Sequence, residues 1–155
     1  MGFRIAGLDS TTFEPLFDLT DAELAARGAR RQVADASPGF PCRVSLEDAQ
    51  VGEEVLLLHH AHHAVASPYR ASGPIIVRRA ARRAAAFVDQ VPEVLARRLL
   101  SVRAYDGEGM LRSAEVVQGT ELAALITRLF AEAEVAYLHV HNARPGCFAC
   151  EVRRS

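Results

Sequence analysis

Two apolar stretches, residues 100–105 and 110–117, are separated only by Asp106-Gly107-Glu108-Gly109. So short a connection returns the chain antiparallel to itself, because a parallel crossover needs a dozen residues or more. The constraint recurs at the C-terminus, where residues 135–141 and 147–153 flank Asn142-Ala143-Arg144-Pro145-Gly146. Between these pairs, Leu122, Leu125, Ile126, Leu129 and Phe130 fall at i, i+3, i+4, i+7 and i+8, the single apolar stripe of a helix lying on a sheet, with Thr120 as its predicted cap.

Shorter elements fill the rest. Thr20-Asp21-Ala22-Glu23 is a capping box, and the helix it opens stops at Gly28. Ser45-Leu46-Glu47-Asp48 predicts another short helix ended by Gly52, and Pro92 a third running to Leu99. Strands are expected over residues 3–8, 29–34 and 55–58, and over 75–77 after a turn at Gly73-Pro74. The expected fold class is α+β: a single domain over residues 1–155, with a mainly antiparallel mixed sheet, one long helix and several short ones. A Rossmann arrangement is disfavoured, since regular strand–helix alternation and a glycine-rich phosphate turn are missing.

A chain of 155 residues, half of them apolar, has enough material for one core. No apolar run approaches the roughly 20 residues that span a bilayer. The opening residues carry no signal-peptide core before Asp9, and Ala6 stands where a myristoylation signature needs Ser or Thr, so a cytoplasmic location is expected. A formal net charge of −1 gives no field for nucleic acid or membrane as partner. All 18 basic residues are Arg, which suggests a GC-rich bacterial genome and excludes lysine Schiff-base chemistry. The run Arg78-Arg79 and Arg82-Arg83 reads as a solvated face. Three cysteines, Cys42, Cys147 and Cys150, are an odd number and argue against a disulfide framework.

The C-terminal hairpin carries most of the chemistry. Alternation puts Leu138 and Val140 on one face and Tyr137, His139 and His141 on the other. Placing both apolar rows on the core side predicts Val140 opposite Phe148 and Leu138 opposite Cys150. Cys147 is then opposite His141, Ala149 opposite His139 and Glu151 opposite Tyr137, on an accessible face. In a strand the two sulfurs of Cys147-Phe148-Ala149-Cys150 point to opposite faces, which rules out a zinc knuckle or redox pair and assigns Cys150 to the core. Cys147, beside His141 and Arg144, is a nucleophile with His141 or His139 as base, or a thiol that only packs. His139 and His141 also have the spacing of two metal ligands on one strand face, with a third from Cys42 or from His59-His60-Ala61-His62-His63, whose histidines are otherwise solvated at a strand end. In Gly39-Phe40-Pro41-Cys42-Arg43 a constrained loop presents a thiol and a guanidinium suited to a carboxylate or phosphate; Tyr69, Arg70 and Arg103 are further ligand-binding candidates.

These blocks, with Ser67-Pro68-Tyr69, Gly73-Pro74, Arg103-Ala104-Tyr105-Asp106 and the run from His139 to Phe148, resemble the bacterial family called domain of unknown function 1203. The resemblance extends over essentially the whole chain and implies a stand-alone domain, with no reaction, substrate or cofactor attached. The chain departs from the family pattern at His59–His63, where few histidines are usual, and at His141, where Arg is frequent, which favours His139 as the base. The expected function is binding or processing of a small anionic molecule. Cys147, Cys42 and His139 are the candidate catalytic groups, and Arg43, Asn142 and His141 the principal ligand-binding ones. The alternatives are a protein-interaction module without catalysis and a metal-binding domain using His139 and His141. Cofactor and oligomeric state are left open.

Overall fold

A computed structural model describes residues 2–155, so Met1, where an acylation signature would begin, lies outside the described residues. Among the described residues, nine strands form two sheets. The larger has the order β5-β1-β9-β8-β6-β7, built from β1 (Phe3–Ala6), β5 (Ala86–Val88), β6 (Leu99–Tyr105), β7 (Leu111–Gln118), β8 (Tyr137–Asn142) and β9 (Phe148–Arg154). The smaller has the order β2-β3-β4, from β2 (Arg30–Val33), β3 (Glu54–His63) and β4 (Ala71–Arg78). Every strand pair is antiparallel, as the short connections require. The expected α+β class holds. Among the described residues, no helix is long and apolar enough to cross a membrane.

Helix α3 (Leu122–Phe130) buries the predicted stripe of Leu122, Leu125, Ile126, Leu129 and Phe130. The stripe meets Ile5, Val102, Leu138, Val140 and Val152 on one face of the larger sheet. Each such side chain removed from water contributes about 1.5–3 kcal/mol, so this layer dominates the stability of the domain. A second cluster joins Leu56, Leu58, Ile75 and Val77 of the smaller sheet to Phe13, Phe17 and Leu24, the last on helix α1 (Asp21–Ala26). Thr20 and Glu23 close the predicted capping box of α1.

Several local expectations are corrected. Ser45–Asp48 forms no helix: the backbone N–H groups of Val44 and Ser45 donate to Cys42 Sγ, and Leu46 takes a positive φ of 52°. Gly73-Pro74 is no turn, because β4 runs straight through it; on an edge strand a proline forfeits no ladder hydrogen bond. Helix α2 covers only Glu93–Ala96, with Pro92 at its N-cap, before the chain enters β6. Thr120 lies within a 3-10 turn, Gly119–Glu121, that precedes α3 and makes no side-chain cap. The histidines of His59–His63 belong to β3 rather than to a loop, and the end of that strand reaches the larger sheet on the face opposite α3.

Candidate functional site

The β8–β9 ribbon pairs two residues away from the predicted register. Leu138 lies opposite Val152, His139 opposite Glu151 and Val140 opposite Cys150. A β-bulge at Ala149 then brings His141 opposite Phe148, and Asn142 N–H donates to Cys147 O at 2.9 Å. The extra residue reverses the alternation. Ala149 and Cys150 both enter the α3 core, whereas Phe148 turns to the histidine face, where His62 stacks on it. Cys147, expected beside His141, is on the other side of the ribbon with Asn142.

Arg43 organises that side. Its Nε donates to Phe148 O at 2.7 Å, its Nη1 to Pro41 O at 2.6 Å and its Nη2 to Cys147 Sγ at 3.0 Å. Asn142 Nδ2 lies 3.7 Å from the same sulfur. The guanidinium is only 3% exposed, and burial pushes its pKa below the usual arginine range, with Cys147 acting in the opposite direction. Above it opens a cavity of about 490 Å³, also lined by Arg97, Arg98 and Arg144. Asp48 neutralises part of this charge through Arg98 at 2.7 Å and Arg97 at 3.5 Å. Among the described residues, Arg43 and Arg144 pair with no carboxylate. Asn142 is buried, and its Oδ1 has no hydrogen-bond partner.

The face expected to be accessible is covered by the end of β3. His139 is 2% and His141 1% exposed. His139 Nε2 donates to Glu151 at 3.2 Å and His141 Nδ1 to Gly146 O at 3.0 Å. His63 Nδ1 donates to Tyr69 O, and its Nε2 accepts from Tyr137 Oη, both at 2.7 Å. His62 sits between His139 and His141, with ring centroids 6.2 and 5.1 Å away. Burial pushes the pKa of His62 and of His141 down to about 4, and that of His139 down as well, against the pull of Glu151. These rings are neutral in the folded chain at pH values where a free imidazole is charged. Below about pH 6.5 the unfolded chain therefore binds protons that the folded chain does not, and stability is lost as pH falls toward 4. In chelator-containing buffer the urea midpoint should drop between pH 7 and pH 5, above the range where carboxylates dominate. A flat midpoint across that interval would show that the rings are not held neutral.

The predicted residues thus divide. Arg43, Asn142 and Cys147 come together at the cavity. His139 and His141 form the opposite face with Arg103, whose strand pairs it with His139, and with Tyr69, which bonds His63 and packs its ring on Tyr105. No imidazole hydrogen-bonds to Cys147 among the described residues, so the expected thiol–base pair is not assembled. Cys42 is 1% exposed in the second core, its sulfur accepting from the N–H groups of Val44, Ser45 and Arg78, a structural place rather than a nucleophile's. Arg70 is exposed beside Tyr69. Sequence reasoning missed Arg97 and Arg98, which looked like an ordinary helix end, and the inward turn of His62.

Comparison with known proteins adds one decisive finding: the model of the family described as protein of unknown function (DUF1203) matches residues 39–154. The chain belongs to this family. The DUF1203 match begins at Gly39, at the rim of the cavity, and includes Arg43, Arg97, Arg98, Asn142, Arg144 and Cys147 as well as the histidine face. Neither the curated proteins nor the solved structures contain a match to the chain.

Proposed function

We propose that the Cys147 cavity binds a small anionic molecule, with a thiol facing the ligand. The observation that carries this reading is Arg43, a guanidinium 3% exposed and bonded to two carbonyls and a sulfur but to no carboxylate. A buried charge without an opposite charge is costly, and an anion beside it offsets that cost. Arg97, Arg98 and Arg144 extend the positive lining, and their planar groups suit carboxylate or phosphate oxygens. The volume suits a small metabolite rather than a polymer. The Cys147 sulfur, held by Arg43 and facing the cavity, puts a thiol within reach of whatever binds there.

Alkylation kinetics test this directly. Cys42 and Cys150 are each 1% exposed, so Cys147 is the thiol that labels in the folded chain. Iodoacetate is an anion and iodoacetamide is not. The rate ratio of the two reagents at Cys147 should exceed that at free cysteine by about tenfold, as expected for charge focused in a cleft. The ratio should fall at high salt, and in Arg144→Gln. A ratio equal to that of free cysteine would eliminate the anion site.

A further inference from the structure

The cavity leaves the histidine face unexplained, and that face has its own unusual feature. Three neighbouring imidazoles each keep a buried ring nitrogen with no partner: His62 Nδ1, His139 Nδ1 and His141 Nε2. A buried polar atom left unbonded costs about 1–3 kcal/mol, so three side by side call for a common partner. For His139 and His141 the unpartnered atom is a lone pair, because the other nitrogen donates, to Glu151 and to the Gly146 carbonyl respectively. A hydrogen-bond donor or a cation is therefore what each lacks.

We propose that His62, His139 and His141 form a binding site for a divalent transition-metal ion of the zinc type. His139 and His141 are two apart on β8 and project to one face, and His62 approaches from β3 in the other sheet. Metal-binding imidazoles nearly always donate their second nitrogen to a carboxylate or a backbone carbonyl, and these two histidines already do so. Bonds of 2.0–2.1 Å in tetrahedral geometry place ring centroids roughly 5 Å apart. The His62–His141 spacing of 5.1 Å meets this, and the His62–His139 spacing of 6.2 Å exceeds it. As placed, no group of three or more His, Cys, Asp or Glu side chains among the described residues is arranged to hold a metal ion, these three included. Binding thus involves a rotation, chiefly of His62, the least buried of the three. Three neutral nitrogen donors suit zinc, copper or nickel rather than calcium or magnesium, and leave a fourth position for water or an anion. Arg103 contributes an opposing positive charge at His62 and His141, offset in part by Glu151 beside His139.

The test uses the untagged full chain, stripped with chelator and titrated with cobalt(II) in visible spectroscopy and with zinc in calorimetry. One equivalent should bind, with the intense visible bands of a four-coordinate cobalt site and a rise in Tm on adding zinc. His62→Phe, which keeps the packing on Phe148, and His139→Gln should each weaken binding at least tenfold, while Cys147→Ser leaves it unchanged. That last variant separates this site from the anion cavity. The exposed His59 and its neighbour His60 supply the control. Binding lost in His59→Ala but kept in His62→Phe would identify adventitious capture and overturn the proposal, as would no binding at all.

Discussion

Replacing Arg43 with methionine should lower the unfolding free energy by about 2–4 kcal/mol, read as a shift of the urea midpoint at constant slope. The aliphatic part of the side chain survives in Met, so the loss isolates the guanidinium. Without it, the Phe148 and Pro41 carbonyls and the Cys147 sulfur lose their donor. The loop before residue 44 is then no longer fastened to β9. Arg43→Lys should recover little, since one ammonium cannot reproduce the planar three-way contact. The iodoacetate preference of Cys147 should disappear in both variants. A loss below about 1 kcal/mol in Arg43→Met would show that the guanidinium is not the strut described.

Gly7→Ala should be nearly as damaging, at about 2–3 kcal/mol, although Gly7 lies outside the matched family region and touches no ligand group. A Cβ at Gly7 would sit 2.0 Å from the Val44 carbonyl oxygen and 3.1 Å from the Ala85 amide nitrogen. Both are backbone atoms, so neither can rotate away. The peptides involved are held by Leu8 N–H donating to Arg43 O at 2.8 Å and Ala85 N–H donating to Val44 O at 2.9 Å. A displacement therefore passes straight to Arg43, and the alkylation preference of Cys147 should weaken along with stability. Gly73→Ala is the matching control: nothing lies within 4 Å of its Cβ position, and it should change stability by no more than about 0.5 kcal/mol. Equal effects from the two substitutions would dismiss the close-approach argument.

The parts of the fold legible in the sequence are those governed by local periodicity. The stripe from Leu122 to Phe130 and the antiparallel ribbons around Asp106 and Pro145 follow from spacing and connection length alone. What escaped reading depended on side-chain bonds to the backbone and on strand positions that composition and periodicity do not encode. The Ser45 segment has the composition of a helix start, but the Cys42 sulfur takes up its amide groups. Pro74 reads as a turn until β4 is known to be an edge. In the site, Cys147, Asn142 and Arg43 were singled out by residue type, and the structure brings them together. Their separation from His139 was not legible, because alternation is counted on the assumption that each strand keeps one phase.

That assumption fails at Ala149. A strand carrying one supernumerary residue has two phases, and identity of face is preserved only on one side of it. Strict alternation from Cys150 back to Cys147 puts the two sulfurs on opposite faces, whereas the bulge leaves both on the side away from the histidines. Position 149 is therefore a parity marker for this chain: deleting Ala149 would change not the length of the strand but which chemistry the Cys147 thiol faces. The single inserted alanine keeps a sulfur among guanidinium groups and a set of imidazoles apart, back to back across one ribbon of backbone.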